Sequence, residues 1–555
     1  MKLSLKHTAI LVSLLAIGGL SFKAYQNYTA PSDNLFEVKK NLDIFHDVYT
    51  TIDKLYVDEP EPGKLMKTGI DAMLKSLDPY TNYIPESKVE DIKFMTTGQY
   101  GGIGSLIRRD GEYSVISEPY EGFPAHKAGL KAGDKIIKID GKSIKGLSQK
   151  EVSEKLKGEA NSSFLITVDR PNSGEITKTI TREKVQISDV PYYGMIDNEI
   201  GYIKLTSFTK TASENVIKAF EDLKVNHGMK KVVLDLRNNG GGLLVEAVKI
   251  VNMFVDKGIK VVEMKGRISQ NNKVYNTRKK ALDKEIELAV LVNSRSASAS
   301  EIVSGAIQDL DRGVIIGTRS FGKGLVQQPH KIAYGAFVKV TVAKYHIPSG
   351  RCIQKLDYSN KNDKGDAEAV ADSLINKFQT KNGRDVYDGR GIDPDIEVGK
   401  IKYSELTKAL TRQNIIFDFC TEFAQRNEKI DSAEVFTLSD NDYKQFIAFA
   451  NQQEFDYSSK SLEKLEELEE MTENEKYSEE TRNEIETLKD KLKPNKSSDL
   501  IKFKKEIKEL IENEIVSRYY YQNGRIKNSL KYDSYIQHVK DVLHNKEKYD
   551  SILGN

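Results

Sequence analysis

The stretch from Ala289 to Gln328 constrains this chain more than any other. Ala289-Val290-Leu291-Val292 is a short apolar run of the kind that forms a buried strand. Small residues follow, Ser294 to Ser300, and then Ile302, Val303, Ala306, Ile307 and Leu310 recur at helical spacing. A serine at a strand-to-helix junction can expose its hydroxyl while the N–H groups of the turn point at an incoming oxygen. A second apolar run, Val314 to Ile316, leads to Phe321-Gly322-Lys323-Gly324. A lysine between two glycines and beside an aromatic is an unusual setting for a solvated charge. The pair reads as a Ser/Lys catalytic dyad, with Ser298 as nucleophile and Lys323 as general base. Ser296 and Ser300 are weaker choices; Ser300 suits a helix cap and Glu301 suits the first turn that follows.

The chemistry needs both residues. A serine hydroxyl attacks poorly until a base removes its proton. A lysine with its ordinary pKa of ~10.4 is nearly all protonated at neutral pH. Lowering that value to about 7.5 takes roughly 4 kcal/mol of differential destabilisation of the ammonium form. Phe321, Leu325 and Val326 are the local apolar groups that would supply it, and the flanking glycines permit close packing.

S-A-S-A-S-E-I followed by F-G-K-G-L-V-Q resembles the carboxy-terminal processing, or tail-specific, proteases of the S41 serine peptidases. The separation, 323 − 298 = 25, is the one that family pattern requires. The resemblance implies a third catalytic residue four positions after the lysine, which is Gln327. A neutral side chain is apt there, because a carboxylate would stabilise the ammonium form.

Upstream, Val232 to Leu236 reads as a buried strand running into Arg237-Asn238-Asn239-Gly240-Gly241-Gly242 and then a helix to about Phe254. A phosphate-loop reading fails on spacing, since neither GxxxxGK[ST] nor GxGxxG is present. An anion-stabilising turn at a helix N-terminus is the better reading. The segment resembles the family's D-L-R-x-N-x-G-G, which implies an oxyanion hole from the N–H groups of Gly241 and Ala299, with Gly240 as the near alternative. The family often carries proline where Gly240 stands.

Residues 98–185 resemble a PDZ domain through Tyr100-Gly101-Gly102-Ile103-Gly104 and the segment Pro124 to Ile144. Ala128-Gly129-Leu130 and Ala132-Gly133-Asp134 put glycines where tight turns need positive φ. PDZ domains bind a peptide C-terminus as an added strand, its carboxylate held by backbone N–H groups. Gly102, Ile103 and Gly104 are the candidates for that loop.

Composition narrows the remainder. Lys and Arg total 84 against 82 Asp and Glu, and a net charge of +2 gives no reason to expect a nucleic-acid partner. The eight histidines are scattered without HExxH spacing, and the two cysteines, Cys352 and Cys420, form no metal-ligand pair. No metal or cofactor is expected, and the cysteines read as free buried thiols. Lys2, Lys6 and His7 precede an apolar stretch from Thr8 to Phe22, so residues 1–25 read as a signal peptide or a single membrane anchor.

The expected fold is an α/β (α+β) multidomain chain. Its parts are a helical region over 33–97, an inserted PDZ domain over 98–185, and a protease core over 186–400, which the resemblance implies is ClpP/crotonase-like. Residues 401–555 read as a charged helical domain, with a helix from about Leu500 capped by Ser497 or Ser498 and mixed-sign faces turned to solvent. The expected function is a serine endopeptidase of the exported cell envelope that captures apolar C-terminal tails of protein substrates. The alternatives are a non-catalytic PDZ scaffold and a crotonase-like acyl-transfer enzyme. A regulatory adaptor, a homo-oligomer and an inner-membrane anchor stay open as partners.

Overall fold

Strict alternation of apolar side chains organises the central sheet. Along Glu287–Val292, Leu288, Val290 and Val292 belong to one buried cluster, and Ala289 and Leu291 to another. A strand buried on both faces reads as a continuous apolar run, and it belongs between two layers. In the computed structural model, which describes residues 33–88, 94, 96–362, 365–399 and 402–554, both layers are present. The segment 1–25 lies outside the described residues, and no described helix is long and apolar enough to cross a membrane.

Residues 1–83 form a unit of their own, described here through helices α1 (Asp33–Leu55) and α2 (Pro62–Lys75). Pro62 opens α2, where its missing N–H costs nothing. The Tyr49 hydroxyl donates to the Pro62 carbonyl at 2.9 Å. The helically spaced Leu35, Val38, Leu42, Phe45, Val48 and Ile52 of α1 are exposed.

The second unit begins with a β-rich module. Strand β1 (Gln99–Gly102) pairs with β7 (Glu183–Gln186). Between them lies an antiparallel sheet in the order β2 (Ser105–Asp110), β3 (Tyr113–Pro119), β4 (Lys135–Ile139), β5 (Ser163–Arg170), β6 (Gly174–Thr181). Asp140 and Gly141, at φ 48° and 72°, make the turn after β4. Helix α3 (Gln149–Leu156) starts at a capping box formed by Ser148 and Glu151. It lies beside β2, whose outer edge is unpaired among the described strands.

The core sheet follows in the order β8 (Tyr192–Met195), β9 (Ile200–Lys204), β10 (Lys231–Asp235), β13 (Glu287–Val292), β14 (Val314–Gly317), β17 (Ile396–Glu397). Only β8 runs antiparallel to its neighbour. Helices α4 (Ala212–Asn226), α5 (Leu244–Val251) and α6 (Ala299–Asp309) contribute to the cluster on one face. A second, antiparallel sheet carries β15 (Leu325–Lys331), β16 (Phe337–His346), β11 (Lys260–Lys265) and β12 (Lys273–Asn276) in that order. The expected edge strand Ile259 to Met264 is therefore internal: β11 lies between β16 and β12. Thr211 precedes α4 without capping it through its side chain, and Ser213 bonds Glu246 with both its N–H and its hydroxyl.

Helices α7 (Glu405–Arg412), α8 (Ile415–Arg426), α9 (Asp440–Gln452), α10 (Lys460–Asn474), α11 (Ser478–Leu492), α12 (Lys496–Lys502) and α13 (Lys504–Ser529) follow. Asn495 caps α12 through the Ser498 N–H, in place of the expected serines. The last two helices, α14 (Ser534–Leu543) and α15 (Lys546–Ile552), turn Gln537, His538, Asp541 and Glu547 to solvent and bury their apolar faces. Tyr535, Ile536, Val539, Val542 and Leu543 pack on Val233, Ala289, Leu291, Val314 and Ile316, covering the second face of the core sheet. Cys352 is half-buried and Cys420 buried, both free.

Candidate active site

Ser298 is the N-cap of α6, with φ 57° and ψ −114°. A residue with a Cβ holds such a backbone only where its surroundings over-determine it, at a cost of about 1–3 kcal/mol. The bonds that hold it are visible. The Ser298 N–H donates to Glu301 Oε2 at 2.8 Å, and the Ser298 carbonyl accepts from the N–H groups of Glu301 and Ile302. Ser300, expected as a cap, sits inside the helix, where its hydroxyl donates to the Asn239 carbonyl at 2.9 Å.

The same Glu301 carboxylate reaches the lysine segment. Oε2 also accepts from the Lys323 N–H at 2.9 Å, and Oε1 accepts from the Gly322 N–H at 2.6 Å and the Ser320 hydroxyl at 2.5 Å. One fully buried side chain thus fixes the backbone N–H groups of both Ser298 and Lys323. Burial pushes its carboxyl up to about 7, although the Ser320 hydroxyl and the three N–H groups pull the other way. On the carbonyl side, the Tyr345 hydroxyl of β16 bonds the Ser298 oxygen at 3.2 Å and the Lys323 oxygen.

Around Lys323 the expected packing is partly different. The lysine is half-buried, Leu325 is buried and Val326 packs on the core, but Phe321 is 44% exposed. The flanking glycines do allow close approach. A Cβ on Gly322 would lie 2.5 Å from Lys355 Cβ, and one on Gly324 would lie 2.8 Å from the Gln354 nitrogen. Gln327, on β15, donates to Thr341 Oγ1 at 3.2 Å across the strand pair.

The glycine turn lies against the nucleophile. Gly241, at φ 102°, leaves no room for a side chain. A Cβ there would stand 2.7 Å from the Ala297 oxygen, 2.8 Å from Ser298 Cβ and 3.0 Å from the Ala299 nitrogen. Asn239 stitches the two loops, accepting at its carbonyl from the Ala297 N–H at 3.0 Å while its amide donates to the Leu205 oxygen at 3.0 Å. Of the expected oxyanion donors, the N–H of Ala299 has no acceptor among the described residues, whereas that of Gly241 donates to Asn239 Oδ1 at 2.9 Å. The N–H of Gly240 likewise has no acceptor among them. Gly241→Ala is expected to lower kcat by about 100-fold or more, since misplacing reacting groups by about 1 Å costs that much. Steady-state kinetics beside a thermal melt checks this, and an unchanged kcat would mean that the turn does not face the reaction.

Beneath the turn is a charge cluster. The fully buried Asp235 accepts from Tyr202 Oη at 2.6 Å, Arg237 Nη2 at 2.7 Å and Lys204 Nζ at 3.0 Å. Burial alone would raise the Asp235 carboxyl, but Arg237 and Lys204 overturn that and hold it well below the usual carboxylate range.

In the β-rich module, Gly102 ends β1 and Ile103 is buried. Gly104 adopts φ 68°, where a Cβ would stand 2.4 Å from Phe123 Cβ. The carbonyls of Ile103 and Gly104 accept from the N–H groups of Ala125 and Tyr120, both at 2.8 Å. Their own N–H groups have no acceptor among the described residues. A cleft of about 220 Å³ adjoins them between β2 and α3, lined by Tyr100, Ile103, Leu106, Ile107, Tyr120 and Leu156 among others.

Sequence reasoning placed Glu301 only in a helical first turn. The S-x-x-E spacing of a capping box was the signal for its bond to Ser298, but nothing local announced its bonds to Gly322 and Lys323. Tyr345 carried no signal that tied it to the site, and Asp235, though it opens the D-L-R stretch, carried none for the charge cluster it centres.

Comparison with known proteins identifies the family and its domains. Residues 199–360 match the model of peptidase family S41, residues 115–170 that of the PDZ domain, and residues 406–543 that of the probable PDZ-protease C-terminal helical domain. A probable CtpA-like serine protease of Staphylococcus aureus (strain COL) is 33% identical over 374 residues, 66% of this chain and 67% of that protein. A carboxy-terminal-processing protease of Bartonella bacilliformis is 35% identical over 319 residues, 57% of this chain and 73% of that protein. Among solved structures, the photosystem II D1 C-terminal processing protease is 30% identical, over 66% of this chain and 94% of that one, with a TM-score of 0.35. The chain is a serine-type peptidase and belongs to the S41 family of carboxy-terminal-processing proteases, with a PDZ domain and a C-terminal helical domain beside its protease core.

Proposed function

We propose that this protein is a Ser298/Lys323 endopeptidase that recognises the C-terminal tail of exported, cell-envelope proteins through its PDZ domain. The observation that carries the reading is the single Glu301 carboxylate bonded to the N–H groups of both Ser298 and Lys323. Such a bridge fixes two backbone segments in one geometry, which a nucleophile and its base require. Neutral Lys323 takes the Ser298 proton as Oγ bonds to the scissile carbonyl carbon. The carbonyl oxygen becomes an oxyanion held by the Ala299 N–H and by the Gly240–Gly241 turn. The Gly241 N–H serves there by exchanging Asn239 for the oxyanion. Lys323 then returns the proton to the leaving amine as the C–N bond breaks, and water releases the acyl group by the same steps in reverse. Gln327 orients the lysine amine.

The tail lies as an added strand along β2, its carboxylate at the N–H groups of Gly102, Ile103 and Gly104 and its apolar side chains in the cleft beside α3. The residue 1–25 segment directs the protease out of the cytoplasm. A loosely folded substrate with an apolar tail is expected to be cleaved about tenfold faster with a free C-terminus than with an amidated one, since amidation removes a charged acceptor. Mass spectrometry would locate the cuts. Equal rates for the two tails would remove carboxylate recognition, and binding without cleavage would favour a scaffold.

A further inference from the structure

The turn that faces Ser298 is anchored by a residue from the far end of the chain. Arg237, the first residue of that turn, donates from Nη2 to Asp533 Oδ2 at 2.6 Å. Both side chains are nearly buried, at 13% and 12% exposed. Asp533 is the N-cap of α14, where its other oxygen accepts the Tyr535 N–H at 2.9 Å, and the Tyr535 ring lies 4.5 Å from the Arg237 guanidinium. We propose that Asp533, supplied by the C-terminal helices, is a positioning residue for the oxyanion turn. It holds Arg237, and through Arg237 the chain from Asn238 to Gly242, in the geometry the reaction needs.

The charges make the case. Asp235, Lys204 and Arg237 sum to one positive charge beneath the turn, and Asp533 neutralises it. An uncompensated buried cation is strongly unfavourable, so without Asp533 the guanidinium would be drawn toward water. Its backbone is tied into the same cluster: the Arg237 N–H donates to Asp235 Oδ1 at 2.8 Å, and Lys204 Nζ donates to the Arg237 carbonyl at 2.9 Å. A guanidinium that moves therefore pulls on the residue that starts the turn. The turn's next contacts are the Asn238–Asn293 pair and Asn239, which lead to the nucleophile loop. The C-terminal helices are thus a structural part of the protease site rather than an appendage to it.

This inference rests on the oxyanion role given to the turn in the proposed function, and the test separates the two. Asp533→Asn keeps an oxygen to cap the Tyr535 N–H but presents an amide to Arg237, so it removes the link and spares the helix. In the full-length protein, amide hydrogen exchange of the 236–243 segment is expected to speed about tenfold or more while the PDZ strands are unchanged. The kcat is expected to fall about 10- to 100-fold with KM within about twofold, less than the loss of a whole oxyanion donor. Asp533→Ala, which also loses the cap, should match the Asn variant in kcat but melt lower. Unchanged exchange in the turn overturns the proposal, and so does faster exchange with unchanged kcat, or a kcat loss in the Ala variant alone. If the wild type shows no Ser298-dependent turnover, the peptidase reading fails, and the exchange measurement still decides whether Asp533 holds the turn.

Discussion

Lys323→Ala is expected to lower kcat by about four to six orders of magnitude, with KM little changed, because residues that act as one catalytic unit fail together. Ser298→Ala should lose as much, and the double variant little more than either alone. That non-additivity is the signature of a shared proton transfer: without the base the hydroxyl stays a weak nucleophile, and without the hydroxyl the base has no proton to accept. Activity of the wild type should rise with pH as the lysine deprotonates, over a range in which the fold is intact. Single-turnover kinetics on all three variants checks the pattern. Effects that add on a logarithmic scale would separate Ser298 from Lys323, and a flat pH profile would remove Lys323 as the base.

Glu301→Ala should lower kcat about 100- to 1,000-fold, although Glu301 has no chemical step to perform. It leaves the N–H groups of Ser298, Gly322 and Lys323 without their buried acceptor and opens a cavity under α6. Unpaired buried donors and lost packing together should destabilise the fold by about 4 kcal/mol. Glu301→Gln separates the charge from the shape. The native carboxyl, at about 7, lies above its ordinary 4.5, so the folded state binds the proton more tightly than the unfolded chain does. Its contribution to stability is therefore greatest below pH 4.5 and falls by about 3 kcal/mol as pH rises through 7. The Gln variant lacks that slope, so its stability deficit against the wild type should narrow from pH 4.5 to 7.5 in denaturant titrations. A deficit constant across that range would mean that Glu301 keeps one protonation state throughout.

Much of the core was readable because its signals are local. Alternation along Ala289 to Val292 and helical spacing from Ile302 to Leu310 report burial directly, and both elements formed. The positive φ expected at Gly129 and Gly133 follows from short-range sterics that glycine relieves at least cost. The misreadings fell where partners are distant in sequence. Ile259 to Met264 carries nothing to say whether one neighbour or two will pair with it. Phe321 beside Lys323 suggested an apolar wall, yet the chain turns the ring outward and packs the glycines on Gln354 and Lys355 instead.

The sequence by itself determined the types of residue present, the elements that carry them and the 25-residue interval between Ser298 and Lys323, because each is set within a few turns of chain. Only the tertiary structure decided that Glu301 and Tyr345 bridge those two residues, and that a helix starting at Ser534 covers the second face of the core sheet with Asp533 bonded to Arg237 at the start of the glycine turn. The Lys323–Glu301 and Arg237–Asp533 bonds join residues 22 and 296 positions apart. Their formation depends on burying both faces of one sheet at once, a condition of the whole fold that no local spacing records.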